Sequence, residues 1–506
     1  MARFEPDFES FAAGYDAGRP QLVWTRLVAD LETPVSAMLK LAEGRPYSFL
    51  LESVEGGAVR GRYSFIGLKP DLIWRSRGNV AEVNRQARFE PDAFVRDDKP
   101  TLDSLRALVA ECRCDLPESL PPMAAGLFGY MGYDMVRLIE TLPTDKPDPL
   151  DLPEGMFVRP TVIAIFDNVQ DHVTVVTPAR PDGQLGARAA YNRALERLSD
   201  VIADLDRSLP GHQSRDESAL NMPEPTSNLT REQYHAMVAR AKEYILAGDI
   251  FQVVLSQRFE LEFSLPPFAL YRSLRRLNPS PFLFYLDFDR FAVVGSSPEI
   301  LVRLRDGTVT IRPIAGTRPR GANSEEDRRN AEDLLGDPKE LAEHLMLLDL
   351  GRNDVGRVSQ IGSVRVTEKM SIENYSHVMH IVSNVQGRID PKHDAIDALM
   401  AGFPAGTVSG APKVRAMEII DELEPERRGI YAGAIGYFGA DGAMDTCIAL
   451  RTSIIKDGRM YVQAGGGVVA DSVAENEYQE CHHKARALVR AAQEAVRFAA
   501  EPNRNR

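Results

Sequence analysis

Short runs of alternating apolar and polar residues, bounded by Gly, Pro and Asp, dominate the first part of the chain. Tyr47-Ser-Phe-Leu-Leu-Glu-Ser53 and Phe157-Val-Arg-Pro-Thr-Val-Ile-Ala-Ile-Phe166 are two of them. Such runs read as strands, so this part must build sheet and find something to cover it. A helical pattern from about Leu185 to Leu205 then meets a polar stretch marked by Pro210-Gly211 that extends to about Ser227. This stretch is the linker candidate. It divides the chain into an N-terminal part at 1–208, a linker at 209–227 and a second part at 228–506. Beyond it, Asn228-Leu-Thr-Arg-Glu-Gln-Tyr opens a helix expected to reach Ala247, with Gly248 as its stop. Strands and helices interleave from there on, with no fixed-period repeat.

Composition narrows the function classes. With 506 residues, 44% apolar and 26% charged, the chain has material for a large core. Its net charge of −13 argues against binding nucleic acid or an anionic membrane through bulk charge, so any anionic substrate needs a local site. Four scattered cysteines make no disulfide framework, and Cys112-Arg-Cys114 lacks the second pair a zinc finger needs. The start Met1-Ala-Arg-Phe-Glu-Pro-Asp has no apolar signal core, and no run approaches the ~20 apolar residues of a membrane span. A cytoplasmic protein is expected.

Two segments draw attention for their acid spacing. Asp337-Pro-Lys-Glu-Leu-Ala-Glu-His-Leu345 begins as a helix should: Asp337 caps, Pro338 takes the first position and Glu340 reaches back. Gly351 can end it, and Leu341, Leu345 and Leu348 form its apolar stripe. Glu340 and Glu343 share another face. The C-terminal helix repeats this arrangement, with Ser472 and Glu475 as a second capping box and Glu477 and Glu480 three apart. If the two faces met, carboxylates ~4 Å apart would repel by about 4 kcal/mol at an effective dielectric of 20 and call for a hard cation such as Mg²⁺. The spacing equally suits a solvated surface, where Glu480 and Lys484 form an i,i+4 ion pair.

Other features stay open in the same way. Gly465-Gly-Gly467 follows the strand Met460-Tyr-Val-Gln-Ala464 and is either a tight bend or a set of N–H groups facing a carboxylate. Arg451, near the end of the strand Thr446-Cys-Ile-Ala-Leu-Arg, is either a surface charge or a bidentate carboxylate clamp. His380 alternates with apolar residues and points to core or to cleft. No cysteine sits in a glycine-flanked nucleophile turn, so ammonia released from glutamine would have to come from a partner.

Taken together, Asp249-Ile-Phe-Gln-Val-Val-Leu-Ser-Gln257, Pro313-Ile-Ala-Gly-Thr317, Glu343-His-Leu-Met-Leu-Leu-Asp-Leu-Gly-Arg-Asn-Asp354 and Gly406-Thr-Val-Ser-Gly-Ala-Pro-Lys413 resemble the chorismate-utilising enzymes, and within them anthranilate synthase component I. The likeness runs over nearly the whole chain. It implies an α+β fold of two large antiparallel β-sheets packed as a sandwich with helices outside, and an N-terminal part interleaved with the catalytic part. It also implies conversion of chorismate and ammonia to anthranilate and pyruvate, with Mg²⁺ as cofactor and a glutamine amidotransferase subunit as partner in a heterotetramer.

Residue by residue, the resemblance puts the metal on Glu343 and Glu480, with Glu340 and Glu477 behind them. Tyr431, Arg451, Gly465, Gly466 and Gly467 would hold the carboxylate and pyruvyl parts of the substrate, with Lys484 near and Thr317 in the site. His380 is implied in the elimination step, Thr407 lines the ring site, and Glu299 of Ser297-Pro-Glu is the implied general acid. Isochorismate- and salicylate-forming members carry lysine where Gln252 stands, and a neutral amide there fits ammonia as nucleophile. Aminodeoxychorismate synthases, the alternative within the family, carry lysine at the position of Ala315. Leu51, Glu52 and Ser53 together with Pro281, Phe282 and Leu283 resemble the family's site for L-tryptophan as inhibitor. A non-catalytic tryptophan-binding protein is the alternative outside enzymology.

Overall fold

The computed structural model describes residues 3–42, 44–55, 59–143, 146–181, 183–209, 224–375 and 378–500. Most of the proposed linker at 209–227 lies outside them, although Thr226–Ser227 forms a short strand against Gln252–Glu262.

Two long strands organise the molecule. Val59–Arg77 and Gly155–Asp167 pair antiparallel along their length, with a register break between Pro70 and Leu72 where Pro70 faces Pro160. Proline has no N–H to give to the ladder, and Lys69 beside it takes a left-handed φ of 52°. The pair bends there and passes from one sheet into the other, as strands that turn corners do.

On one side of the corner the strands run in the order Phe4–Glu5, Gln21–Val28, His172–Ala179, the end of Gly155–Asp167, the start of Val59–Arg77, Phe49–Glu55, Phe282–Asp287, Phe291–Ser297, Thr452–Lys456, Arg459–Val468 and Gln252–Glu262. On the other side they run from Val80–Asn84 through the long pair to Gly126–Met131, Ala434–Gly439, Met444–Ile448, Ile300–Arg305, Thr308–Ile311, Val378–Arg388 and Arg365–Asn374. All of these pairings are antiparallel. Each sheet joins a block of strands from before the linker to a block from after it, at one junction: Phe49–Glu55 borders Phe282–Asp287 in the first, and Gly126–Met131 borders Ala434–Gly439 in the second.

An aromatic layer fills the space between the sheets. Phe128 stacks on Phe49 at 4.7 Å and on Tyr437 at 5.6 Å, while Phe65 meets Tyr437 edge-on at 5.8 Å. Helices including Phe8–Asp16, Ala187–Leu205, Arg231–Leu246 and Ala474–Ala500 cover the outer face of the first sheet. Thr101–Glu111, Pro338–Gly356 and Ala395–Gly402 cover that of the second. The fold is therefore the α+β sandwich with external helices that the resemblance implied.

Local expectations fare unevenly. The helix Arg231–Leu246 starts with a Thr230–Gln233 capping box, and Gly248 follows it at φ 84°. The helix Pro338–Gly356 is capped by Asp337 as expected but runs through Gly351 instead of ending there. Its buried side is His344, Leu347, Leu348, Gly351 and Val355, and Leu345 of the expected stripe is 46% exposed. The anticipated back-reach of Glu340 is replaced by an ion pair with Arg318, and Glu475 likewise turns to Arg231 and His235.

Phe128→Ala should cost about 3–5 kcal/mol, since it empties the aromatic layer where both sheets meet. Urea unfolding of the purified chain measures it, and a loss below about 1 kcal/mol would show that the layer does not hold the sheets together.

Candidate active site

Gly465, Gly466 and Gly467 lie inside the strand Arg459–Val468, opposite Ser256, Leu255 and Val254 of the strand Gln252–Glu262. The expected bend is absent, because the backbone ladder continues through all three. Their role is steric. A Cβ on Gly465 would come within 2.9 Å of the Tyr431 hydroxyl, one on Gly466 within 2.9 Å of Glu477 Oε2, and one on Gly467 within 2.7 Å of Gln252 Nε2. Three polar side chains from three separate segments thus converge on a strip of bare backbone.

The two acidic helices flank this strip. Glu340 is held by Arg318 at 3.0 Å, and Glu480 by Lys484 at 2.6 Å, whose Nζ also donates to the Gly465 carbonyl at 2.8 Å. Lys339 reaches Asp471 at 2.9 Å and ties the start of one acidic helix to the segment that leads into the other. Glu343 and Glu477 have no ion-pair partner among the described residues. Burial raises both above their ordinary values; Glu340, then Asp471 and Glu477, raise Glu343 further against Lys339, and Glu480 raises Glu477. Glu477 Oε2 is buried without a hydrogen-bond partner. Among the described residues no three acidic, His or Cys side chains gather closely enough to form a metal cage. The donor set is nevertheless all hard oxygen, with one buried acceptor unsatisfied and two carboxylates raised by burial and by acidic neighbours, which fits a Mg²⁺ ion that keeps much of its water.

The chemistry-bearing groups lie across the strand pair 314–319 and 378–382. Thr317 stands opposite His380, whose Nδ1 lies 3.0 Å from the Gly316 carbonyl and 3.1 Å from the Thr317 hydroxyl. A carbonyl only accepts, so Nδ1 carries the hydrogen and Nε2 is left with a free lone pair. Burial and then Arg451 keep this histidine neutral below its ordinary pKa, the Gly316 bond opposing them. Tyr375 packs edge-on against the ring at 5.3 Å. Glu299 is buried, accepts from Thr407 Oγ1 at 3.1 and 3.2 Å, and has no ion-pair partner among the described residues; burial pushes its pKa up to about 8. Near neutral pH it is a carboxylic acid with a proton to give.

Arg451 lies past the end of its expected strand, which stops at Ile448, in a left-handed turn with φ 47°. A non-glycine residue there stores strain of order 1–3 kcal/mol. The turn aims a guanidinium that makes no ion pair among the described residues, and burial lowers its pKa. Unpaired, desolvated and beside His380, it is ready for an anion. Gln252 Oε1 is buried and unsatisfied, which leaves its amide equally available.

A sequence profile described as chorismate binding enzyme matches residues 69–490. The chain is 62% identical over 492 residues to anthranilate synthase component 1 of Cereibacter sphaeroides, covering 97% of this chain and 98% of that protein. This chain belongs to the chorismate binding enzymes. Its branch is anthranilate synthase component 1. The same-named protein of Thermus thermophilus is 48% identical, covering 92% of this chain and 97% of that one. The crystal structure of anthranilate synthase component I from Streptococcus pneumoniae superposes with a TM-score of 0.76 at 39% identity, over 85% of this chain and 92% of that one. The menaquinone-specific isochorismate synthase of Escherichia coli shares the fold alone, at a TM-score of 0.69 and 19% identity over 96% of this chain and all of that one.

In this branch member the residues expected at the inhibitor site stand on adjacent strands. Ser53 pairs with Phe282 and Glu52 with Leu283. Those four together with Pro281 and Leu51, six in all, line a cavity of about 1050 Å³ that extends to Ile314 and Tyr375 beside His380. The Glu52 carboxylate is already taken by Arg275 at 2.7 and 2.8 Å and by Tyr271 at 2.6 Å.

Sequence reading missed Tyr375, Arg318 and the buried pair Glu424–Arg428. Arg428 donates to the carbonyls of Val408 and Val254, and Glu424 accepts from Ser256 N–H, so this pair fixes the backbone beside Thr407 and Gln252. Their i,i+4 spacing was visible but is equally that of a surface ion pair.

A carboxyl whose pKa is raised by folding gives stability that is full below its unfolded value, near 4.5, and lost as pH rises through about 8. Thermal melting of the native chain should therefore fall relative to Glu299→Gln as pH rises from about 5 to 9. Parallel melting curves would show that Glu299 ionises as an ordinary carboxylate.

Proposed function

We propose that the chain converts chorismate and ammonia to anthranilate and pyruvate, as the synthase subunit of a cytoplasmic anthranilate synthase. The observation that carries this reading is Glu299: a buried acid, neutral at working pH and hydrogen-bonded to Thr407, is the group needed to protonate a departing ring hydroxyl.

The substrate is a dianion. Arg451 and the Tyr431 hydroxyl bind the carboxylate and pyruvyl end against the bare backbone of Gly465 to Gly467, with Lys484 near. Glu343 and Glu480 would hold Mg²⁺, with Glu340 and Glu477 behind them, and the ion when bound would supply charge neutralisation for the second carboxylate. Thr407 and Thr317 border the ring. Glu299 gives its proton to the leaving hydroxyl as ammonia attacks, and the neutral amide of Gln252, unable to act as a base toward water, suits that nucleophile. The added ammonium sheds a proton to give the amine; His380 Nε2 then accepts a ring proton as the ring C–O bond breaks, the ring becomes aromatic, and the enolpyruvate that departs takes up a proton at its methylene carbon to become pyruvate.

The names of the relatives and the lack of a glutaminase cysteine support ammonia supply by a separate amidotransferase subunit. The cavity between the strands Phe49–Glu55 and Phe282–Asp287 suits L-tryptophan as feedback inhibitor: an occupant there would favour one arrangement of the two sheets and so act at His380.

Purified chain given chorismate, Mg²⁺ and ammonium at raised pH should release pyruvate with a fluorescent anthranilate product. An aminodeoxychorismate without pyruvate, or tryptophan binding without turnover, would overturn the assignment. Glu343→Gln and Glu480→Gln should each lower Mg²⁺-dependent turnover by at least the ~10–100-fold that loss of an outer metal partner costs, with the fold intact by circular dichroism. His380→Ala should lower kcat by about 10²–10⁴ with little change in KM.

A further inference from the structure

A second polar cavity, of about 540 Å³, lies in the first part of the chain. That volume is in the range of small-molecule sites. Its walls come from the corner of the two long strands, the end of the strand His172–Ala179 and the helix Ala187–Leu205. Six guanidiniums line it, those of Arg85, Arg88, Arg159, Arg180, Arg193 and Arg197, against two carboxylates, Asp71 and Glu111. In a chain of net charge −13 this local excess of positive charge runs against the global balance.

The two carboxylates are already committed. Arg159 bonds Asp71 and Glu111, both at 2.7 Å, and Arg85 grips Glu111 with two nitrogens at 2.9 and 2.8 Å. Arg180 is left 3.9 Å from Asp71, and its Nε is buried with no partner. Arg197 makes only long bonds, 3.4 Å to the Thr177 hydroxyl and 3.4 Å to the Pro178 carbonyl; its Nε is also buried and unpartnered. Arg88 and Arg193, exposed at the rim, have no carboxylate partner among the described residues. A buried guanidinium that serves only the fold is held by carboxylates, as Arg159 is by Asp71 and Glu111, because an unmatched charge withdrawn from water is costly. Burial, then Arg193 and Arg88, push the Arg197 pKa down to about 10, as expected where counter-charge is missing.

We propose that this cavity binds a small phosphorylated molecule, its phosphate seated between Arg180 and Arg197 with Arg88 and Arg193 at the mouth. Phosphate fits better than a single carboxylate because it brings up to two negative charges and three acceptor oxygens, enough for several guanidinium forks at once. Phe89, 77% exposed beside Arg88, offers an apolar surface to the rest of the ligand. The occupant would pin the helix Ala187–Leu205 to the corner between the sheets, so binding should raise thermal stability as its concentration rises.

Titration calorimetry on the full chain, in Mg²⁺-free buffer of fixed ionic strength, tests this with inorganic pyrophosphate as probe. Saturable binding is expected, weakened by about tenfold or more in Arg180→Gln/Arg197→Gln and unchanged in Arg451→Gln, which separates this cavity from the chorismate cleft. Arg193→Glu, an exposed change that leaves the unliganded melting temperature alone, should weaken binding as well. No saturable heat up to about 10 mM, or equal affinity in all the variants, overturns the proposal. So does displacement of pyrophosphate by a far tighter-binding poly-glutamate, which would mark the cavity as a dock for an acidic protein segment.

Discussion

The bent pairing of Val59–Arg77 with Gly155–Asp167 is the constraint on which the rest of the structure depends. One ladder, interrupted where Pro70 faces Pro160, supplies a central pair to both sheets, so their relative placement is set covalently as well as by packing. The aromatic layer then fills a gap whose width the corner has already fixed. Because strands from both halves of the chain complete each sheet, neither half can bury its own apolar face alone. The cleft is the product of that sharing: the strand carrying the bare glycines lies in one sheet and the strand carrying His380 in the other.

Electrostatics in the cleft follows from what each charge is denied. Glu299 has a hydroxyl donor and a backbone N–H but no cation, so burial prevails and the acid stays protonated. Arg451 has no carboxylate, so burial lowers its pKa, yet a guanidinium stays charged and therefore waits for an anion. Glu343 and Glu477 repel across the gap while Arg318 and Lys484 neutralise their neighbours. Two of the four carboxylates are thus already neutralised, and Glu480, bound to Lys484, would have to be released before it could share a cation with Glu343.

Much of the fold was legible wherever a local rule has one physical solution. Thr230 with Gln233 can only cap, Asp337 before Pro338 can only start a helix, and the resemblance supplied the sheet arrangement. Misreadings arose where one pattern serves two geometries. Gly351 looked like a stop, but a glycine can also sit inside a helix when packing holds the ends. Leu341, Leu345 and Leu348 are an apolar stripe by spacing, yet His344 is fully buried because its Nε2 meets the Ser383 hydroxyl at 2.7 Å, and that polar partner rotates the buried face by about one position. The glycine run suggested a bend, yet it continues a strand, and the close approach by Tyr431, Glu477 and Gln252 that bare backbone allows comes from residues far away along the chain.

The site shows the same limit more sharply. Motifs marked the candidate residues, but not the residues that hold them. Arg428 and Glu424 are four apart, as in countless solvated pairs, and nothing local reveals that both are buried with their hydrogen bonds spent on the carbonyls of Val254 and Val408 and on Ser256. A buried pair is poor evidence of stability, since desolvation offsets most of the attraction. Its effect here is geometric: four fixed hydrogen-bond directions allow one placement of the strand that carries Gln252 and of the turn that carries Thr407. The placement of these candidate groups is therefore set by a buried pair elsewhere, and such residues become visible only when distant segments are brought together.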